Sequence, residues 1–395
     1  LDFQKLMHQI GSVGDESAEK LASLSEIIDT ARDVYHDAAE KPHETVRRLE
    51  ENLPWVLWPL ARPLEPYGRS YPISDAKENT TIVAVDGSQI MPSQHEVHNC
   101  FLLNIGVIRI AYGLSTKPLL ESYPHLYHKS DDLYPLVNRR RMHIDELYVS
   151  LERNLLELDY LVSQSIESQS LGSPVVALVD GSLIPWSVEK MPDHYQEKYF
   201  ARTNLLLEKL RLAEIPIVGY LSHSRSSDVV NSLRVLKCPY DLSDCRTHCE
   251  SLNEEDFPCS AVWPLLDRTL MKSLLAPGER SSIFLSGANV SKSYPNNQAT
   301  CFTYVNVGEE IARLELPRWL FELPRAFDRA MAAILSQVRR GRGYPVALAE
   351  AHHLAVIKGG DRQRFFELLT RHLVSQGVSR VRLSPKESKK RIGLV

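Results

Sequence analysis

The sequence predicts an α/β fold, and two observations carry that prediction. The first is a pattern that occurs twice, as Thr81-Ile82-Val83-Ala84-Val85-Asp86-Gly87-Ser88 and as Val175-Val176-Ala177-Leu178-Val179-Asp180-Gly181-Ser182. Each copy is a short apolar, β-branched run closed by a turn signal, which reads as a buried strand. The second is alternation. Strand-like runs are separated by stretches whose apolar residues recur every three or four positions, the pattern of helices laid on a sheet.

Residues 1–52 predict helix through Leu21, Leu24, Ile27, Ile28, Ala31, Val34 and Tyr35, with charges between them. Five prolines break residues 53–79 into a connector, so 1–79 reads as a helical extension. The strand at 81–86 follows, then a loop at 91–97 and a second strand over 99–111, paired with the first as a hairpin. Residues 113–135, with Pro118, Pro124 and Pro135, read as loop. A long helix is expected from Val137 to about Gln169, leading into the strand at 175–180. Beyond it the sequence predicts a helix at 189–213, a strand at 215–221, a polar loop at 222–227 and a helix at 228–236. A cysteine-bearing insert spans 237–264. Next come a helix at 265–275, a strand at 283–286, a hairpin at 299–306 and 310–316, and a helix at 318–340. A helix containing Ala351–Ala355 and a last one at 361–376 precede a basic tail from Ser384. The core domain therefore runs from 80 to 360, and 361–395 is a C-terminal helix and tail.

Of the 395 residues, 43% are apolar and 24% charged, and the net charge is −4, so no global basic field marks a nucleic-acid binder. Any basic groove is local. No apolar run reaches membrane-spanning length, and the first residues lack the basic-then-apolar order of a signal peptide. With six cysteines and no secretory signal, a reducing, cytoplasmic setting is expected. There is no Gly-x-Gly-x-x-Gly, no P-loop and no Gly-x-Ser-x-Gly, which disfavours dinucleotide binding, P-loop hydrolysis and an α/β-hydrolase.

Two carboxylates on two strand ends suit a hard divalent cation, Mn²⁺ or Mg²⁺, and Asp86 and Asp180 are the candidates. The plain alternative is a pair of turns that merely end strands. Such a site needs a third or fourth acid, and the preceding helix offers Asp145, Glu146, Glu152, Glu157 and Asp159. Glu146 is preferred because it follows Arg139-Arg140-Arg141 at a phosphate-facing end; a solvated helix face is the alternative. Tyr344 and His352 stand eight residues apart. The imidazole suits metal ligation or acid–base work and the phenol suits orienting a phosphate, though each also suits a structural role. Cys238-x₆-Cys245-x₃-Cys249-x₉-Cys259 offers ligands for a structural Zn²⁺ or an iron–sulfur cluster. Its spacing lacks paired Cys-x₂-Cys knuckles, and free, part-buried thiols are the alternative. Arg225, Lys292 and Arg280-Ser281-Ser282 suit phosphate contacts or an ordinary solvated surface.

Five blocks together resemble the NurA nuclease domain over roughly residues 80–360. They are the two Val-Asp-Gly-Ser motifs, Ile217-Val-Gly-Tyr-Leu221 with its Ser/Arg loop, Asp267-Arg268 leading to Leu274-Leu-Ala-Pro-Gly278-Glu-Arg-Ser281, and Tyr344-Pro345 with Ala351-His352. The resemblance implies an RNase H-like mixed sheet flanked by helices. It implies Mn²⁺-dependent endonuclease and 5′→3′ exonuclease action on DNA, single-stranded or at duplex ends. It implies a HerA-type hexameric ATPase as partner, end resection in recombination repair as the setting, and a homodimer. Asp86 and Asp180 match the family's metal-binding aspartates, and Tyr344 and His352 its C-terminal tyrosine and histidine. The helical glutamate matches Glu146, with Glu152 as the other choice. Ser222-His223 stand where a lysine is common, which sets a second reading beside the first: a catalytically weak nucleic-acid- or translocase-binding protein. A metal-dependent phosphatase is a third.

Overall fold

The structure is a computed structural model, and it describes residues 2–75, 79–92, 99–137 and 139–377. The chain falls into two compact units, each assembled from three segments: residues 1–75, 181–184 and 219–324, and residues 76–180, 185–218 and 325–395. Among the described residues no helix is long and apolar enough to cross a membrane. The basic tail from Ser384 and most of the 91–97 loop lie outside the described residues.

In the second unit, β1 (Thr80–Ile90), β2 (Phe101–Tyr112) and β3 (Leu119–Tyr127) form an antiparallel meander. β4 (Val175–Asp180) pairs parallel with β1, giving the order β3-β2-β1-β4 and the mixed sheet that was expected. Ile82, Val83, Ala84, Val176, Ala177 and Leu178 are buried, as strands covered on both faces require. A parallel return needs a crossover, and the helix Glu146–Ser170 lies within it.

Three local expectations change. Residues 119–127 are a strand, not loop: β3 lies at the end of the strand order, where a proline without an N–H is tolerated, so Pro124 fits opposite Asn104. The long helix begins at Glu146 rather than Val137. Asp145 caps it by accepting from Tyr148 N at 2.8 Å, and Arg139 just before takes a φ of 62°, which a right-handed helix excludes. The first Asp-Gly-Ser does not end its strand, because β1 continues past Asp86 to Ile90. The second does: Asp180 closes β4, and Gly181 turns the chain with a φ of 107°.

In the first unit the helices Phe3–Glu40 and Pro42–Asn52 bury Ala31, Tyr35, Ala38 and Leu49 in one core with Val229, Val230, Leu270 and Met271. Those last residues come from helices Asp228–Lys237 and Asp267–Leu274. The tail of β5 (Ile217–Leu221) pairs with β7 (Ile311–Pro317), which forms the expected hairpin with β6 (Thr300–Asn306). Inside lies Arg313, 1% exposed, bonded to Asp228 at 2.8 Å and Glu315 at 2.9 Å, so its buried charge is matched. Glu315 in turn accepts from Ser182 Oγ at 2.7 Å and Leu183 N at 2.9 Å, fixing the segment after the second Asp-Gly. Arg280, a candidate phosphate contact, is instead bidentate to Glu65 at 2.6 and 2.9 Å.

Asp267 caps a helix that is not its own. Its carboxylate accepts from Val229 N at 3.0 Å, Val230 N at 2.9 Å and the Tyr304 hydroxyl at 2.7 Å. Replacement by alanine orphans all three donors. A loss of about 2 kcal/mol is expected, read as a lower denaturant midpoint at unchanged slope.

Candidate active site

The site grows from β1, and each residue of its Asp-Gly-Ser has a separate task. Asp86 supplies the acid: Oδ1 accepts from Gly87 N at 2.8 Å, and Oδ2 lies 2.8 Å from His352 Nδ1. Gly87 supplies space, since a Cβ there would fall 2.4 Å from Glu157 Oε1 and 2.9 Å from Arg153 Cγ. Ser88 supplies a pin, its hydroxyl donating to Ala355 O at the end of the helix Val346–Ala355. Asn104 Nδ2 donates to the same carbonyl at 2.8 Å and to Leu354 O at 3.1 Å. Gly106 stands opposite Asp86 on β2, and a Cβ there would meet Ala351 O at 2.4 Å and Ala355 N at 2.6 Å. Only glycine lets that helix lie close enough to bring His352 onto Asp86.

Asp180 receives a hydrogen bond from Tyr344. Burial pushes its carboxyl above the ordinary value; the Tyr344 bond opposes this, Asp86 adds to it, and His352 opposes it. The third acid is Glu157, whose Oε1 lies 3.0 Å from Arg153 Nε. Burial pushes Glu157 up to about 8, with Asp86 and Asp180 adding to the rise and Arg153 opposing it. Glu157 Oε1 and Arg153 Nε are both enclosed without a well-aligned hydrogen bond. Asp86 thus raises the proton affinity of both Asp180 and Glu157, on top of burial, with the Arg153 guanidinium opposing the rise at Glu157.

The structure therefore brings together Asp86, Asp180, Tyr344 and His352, and adds Glu157. It does not bring Glu146. That residue is the exposed first position of the helix, eleven residues before Glu157 and so about 16 Å away along the axis. Nor does it bring Glu152, which accepts from the Tyr195 hydroxyl at 3.0 Å in a small pocket with Tyr148 and Tyr199. A signal for Glu157 existed in the sequence. With Arg153 at i−4 and Leu161 at i+4, it is an acid on the helix face that carries buried residues.

Among the described residues, no group of three or more His, Cys, Asp or Glu is disposed to enclose a metal ion. The expected Zn²⁺ or iron–sulfur site rests on four cysteines that neighbour one another, since Cys238, Cys249 and Cys259 all act on the Cys245 thiol. Cys245 and Cys249 sit on a five-residue helix, Cys238 ends the helix Asp228–Lys237, and Cys259 Sγ accepts from Arg234 Nε at 3.4 Å. All four are free thiols, and burial first, then neighbouring cysteines, push Cys245 up to about 11. For the acid cluster the donor chemistry fits a hard divalent cation, since the donors are carboxylates, two of which, Asp180 and Glu157, are raised by burial and by Asp86, although among the described residues they form no closed ligand set. Ser222 and His223, in the lysine's place, both engage Glu310: Ser222 Oγ donates to Oε2 at 2.8 Å and His223 N at 3.0 Å.

Comparison with known proteins matches the NurA domain to residues 80–357. The chain belongs to the NurA family. The NurA nuclease from Sulfolobus solfataricus is similar in structure at 15% identity and a TM-score of 0.42, over 78% of this chain and 88% of that one. The catalytic domain of human Endonuclease V is similar at 13% identity and a TM-score of 0.31, over 75% of this chain and 91% of that one. Both likenesses are weak, and membership of the NurA family rests on the domain match. A stretch of 114 residues, 29% of the chain, is 33% identical to the nonribosomal peptide synthetase atnA of Emericella nidulans, of which it spans 2%. That stretch says nothing about the NurA domain as a whole.

Proposed function

We propose that this NurA-family chain is a divalent-metal-dependent nuclease acting on DNA. The observation that supports it is the meeting of Asp86, Asp180 and Glu157 in one part-buried site, where their charges work against one another. A cation held by these three, Mn²⁺ or Mg²⁺, supplies Lewis-acid activation of water and of the phosphodiester when bound. The chain's own residues do the rest. With Asp86 as acceptor, His352 carries its hydrogen on Nδ1, and Nε2 is left to take a proton from an attacking water. His352 is 58% exposed, open to solvent and substrate. Tyr344 orients Asp180 through its hydroxyl, and Arg153 keeps Glu157 from standing as an uncompensated buried charge.

Endonuclease and 5′→3′ exonuclease action, a HerA-type hexameric ATPase partner, a homodimer, DNA end resection and a cytoplasmic setting belong to this reading through the family resemblance. The test is cleavage with Mn²⁺ or Mg²⁺, against a chelator, on single-stranded DNA, duplex DNA, RNA and a small phosphate ester. Metal-dependent DNA cleavage is expected. Hydrolysis of the small ester alone would make the protein a phosphatase, and no hydrolysis at all would make it a binding module. His352→Ala is expected to lower cleavage about 10- to 100-fold, read as the single-turnover rate.

A further inference from the structure

We propose that the first unit carries a second, separate binding site: a cleft that takes the phosphomonoester of a nucleotide. The cleft lies between residues 53–62 and 285–299 and encloses about 610 Å³, the size of a small-molecule site. Its charge is one-sided. Arg62 and Lys292 line it, and no aspartate or glutamate does. The chain as a whole carries a net charge of −4, so a cleft lined by two cations and no acid marks a local exception.

Arg62 is half-buried on the short strand Ala61–Pro63, which pairs with Phe284–Ser286. Among the described residues its side chain has no hydrogen-bond or carboxylate partner, and its Nε is enclosed without an acceptor. A part-buried guanidinium lacking a counter-charge is unfavourable, and an anion in the cleft supplies what is missing. Lys292 Nζ donates to Asn289 Oδ1 at 2.9 Å, which uses one of its three hydrogens. The Ser291 hydroxyl and the Trp58 indole N–H are enclosed without a hydrogen-bond partner among the described residues, and Ser291 is only 7% exposed. Guanidinium and ammonium together suit an acceptor-rich oxyanion such as a phosphate. Leu53 and Val56 give the cleft an apolar side, which suits an organic body rather than a bare ion. That the body is a nucleoside rests on the nuclease reading, because such an enzyme releases nucleoside monophosphates. That the cleft binds an organic phosphate does not.

Calorimetry on the full chain in chelator, in an Asp86→Ala background that leaves the probes intact, tests this with dAMP, inorganic phosphate and a 5′-phosphorylated DNA hexamer. Binding of dAMP is expected to weaken at least about tenfold in Arg62→Gln/Lys292→Gln, while Arg62→Lys, which keeps the charge, stays within about threefold. Hexamer binding with the same dependence supports the site and identifies a strand end as its occupant. Binding of inorganic phosphate as tight as dAMP would overturn the organic part of the proposal. No dAMP binding, or equal binding in the double variant at an unchanged unfolding midpoint, would overturn the site itself. DNA cleavage by the wild-type chain is scored separately, so a failed nuclease reading leaves the dAMP result standing.

Discussion

Asp180→Ala and Asp86→Ala are each expected to lower metal-dependent DNA cleavage by about a thousandfold or more, since the interaction lost is worth several kcal/mol at the transition state. The two losses should differ in kind. Asp180 is held by Tyr344 but is exposed at the end of its strand, so its removal leaves the stability of the fold nearly unchanged. Asp86 also orients His352 at 2.8 Å. Its removal therefore takes the histidine's positioning with it, and His352→Ala should cost far less in the Asp86→Ala background than in the wild type. Single-turnover cleavage measures the first effect and calorimetric titration with Mn²⁺ the second: each variant should lose most of its metal affinity. Cleavage near the wild-type rate in both variants would remove the acid cluster from the mechanism.

How much of this was legible in the sequence depends on whether the signal was local. The paired Asp-Gly-Ser motifs were local, and so was the apolar period of the strands that carry them. The hairpin of β1 and β2, the hairpin of β6 and β7 and the helix Val346–Ala355 follow from such patterns. What was not legible depends on contacts across the chain. Pro124 looks like a loop signal until its strand is known to lie at the end of a sheet. Arg280 looks like a phosphate contact until Glu65, 215 residues away, is found against it. The cysteines are neighbours in space, since Cys238, Cys249 and Cys259 all act on the Cys245 thiol, but among the described residues they form no closed ligand set. Gly87 and Gly106 are the clearest instance. Read in sequence they are a turn residue and a strand interruption. In space each is the absence of a Cβ where a helix must approach, and no one-dimensional pattern reports that.

Glu157→Gln tests the point where sequence and structure part. Cleavage is expected to fall about a hundredfold or more, as for loss of one charged group from a transition-state site, while Glu146→Gln stays within about twofold. Stability should move the other way. Glu157 titrates at about 8 in the folded chain against an ordinary value of 4.5. A carboxyl whose folded pKa is raised binds its proton more tightly folded than unfolded, so between these two values stability falls as pH rises. Below 4.5 both states are protonated and the penalty is absent; above 8 it is complete. Glutamine cannot ionise and escapes the penalty. With 21% of the Glu157 side chain in contact with solvent, the gain for the metal-free variant above pH 8 is about 2 kcal/mol. The same gain should vanish below pH 4.5. Denaturant midpoints of wild type and Glu157→Gln, taken in chelator across that range, read the difference directly. A variant that loses cleavage and gains alkaline stability marks a residue held in an unfavourable state for its chemistry. A variant that loses both would make Glu157 a structural partner of Arg153 and no more.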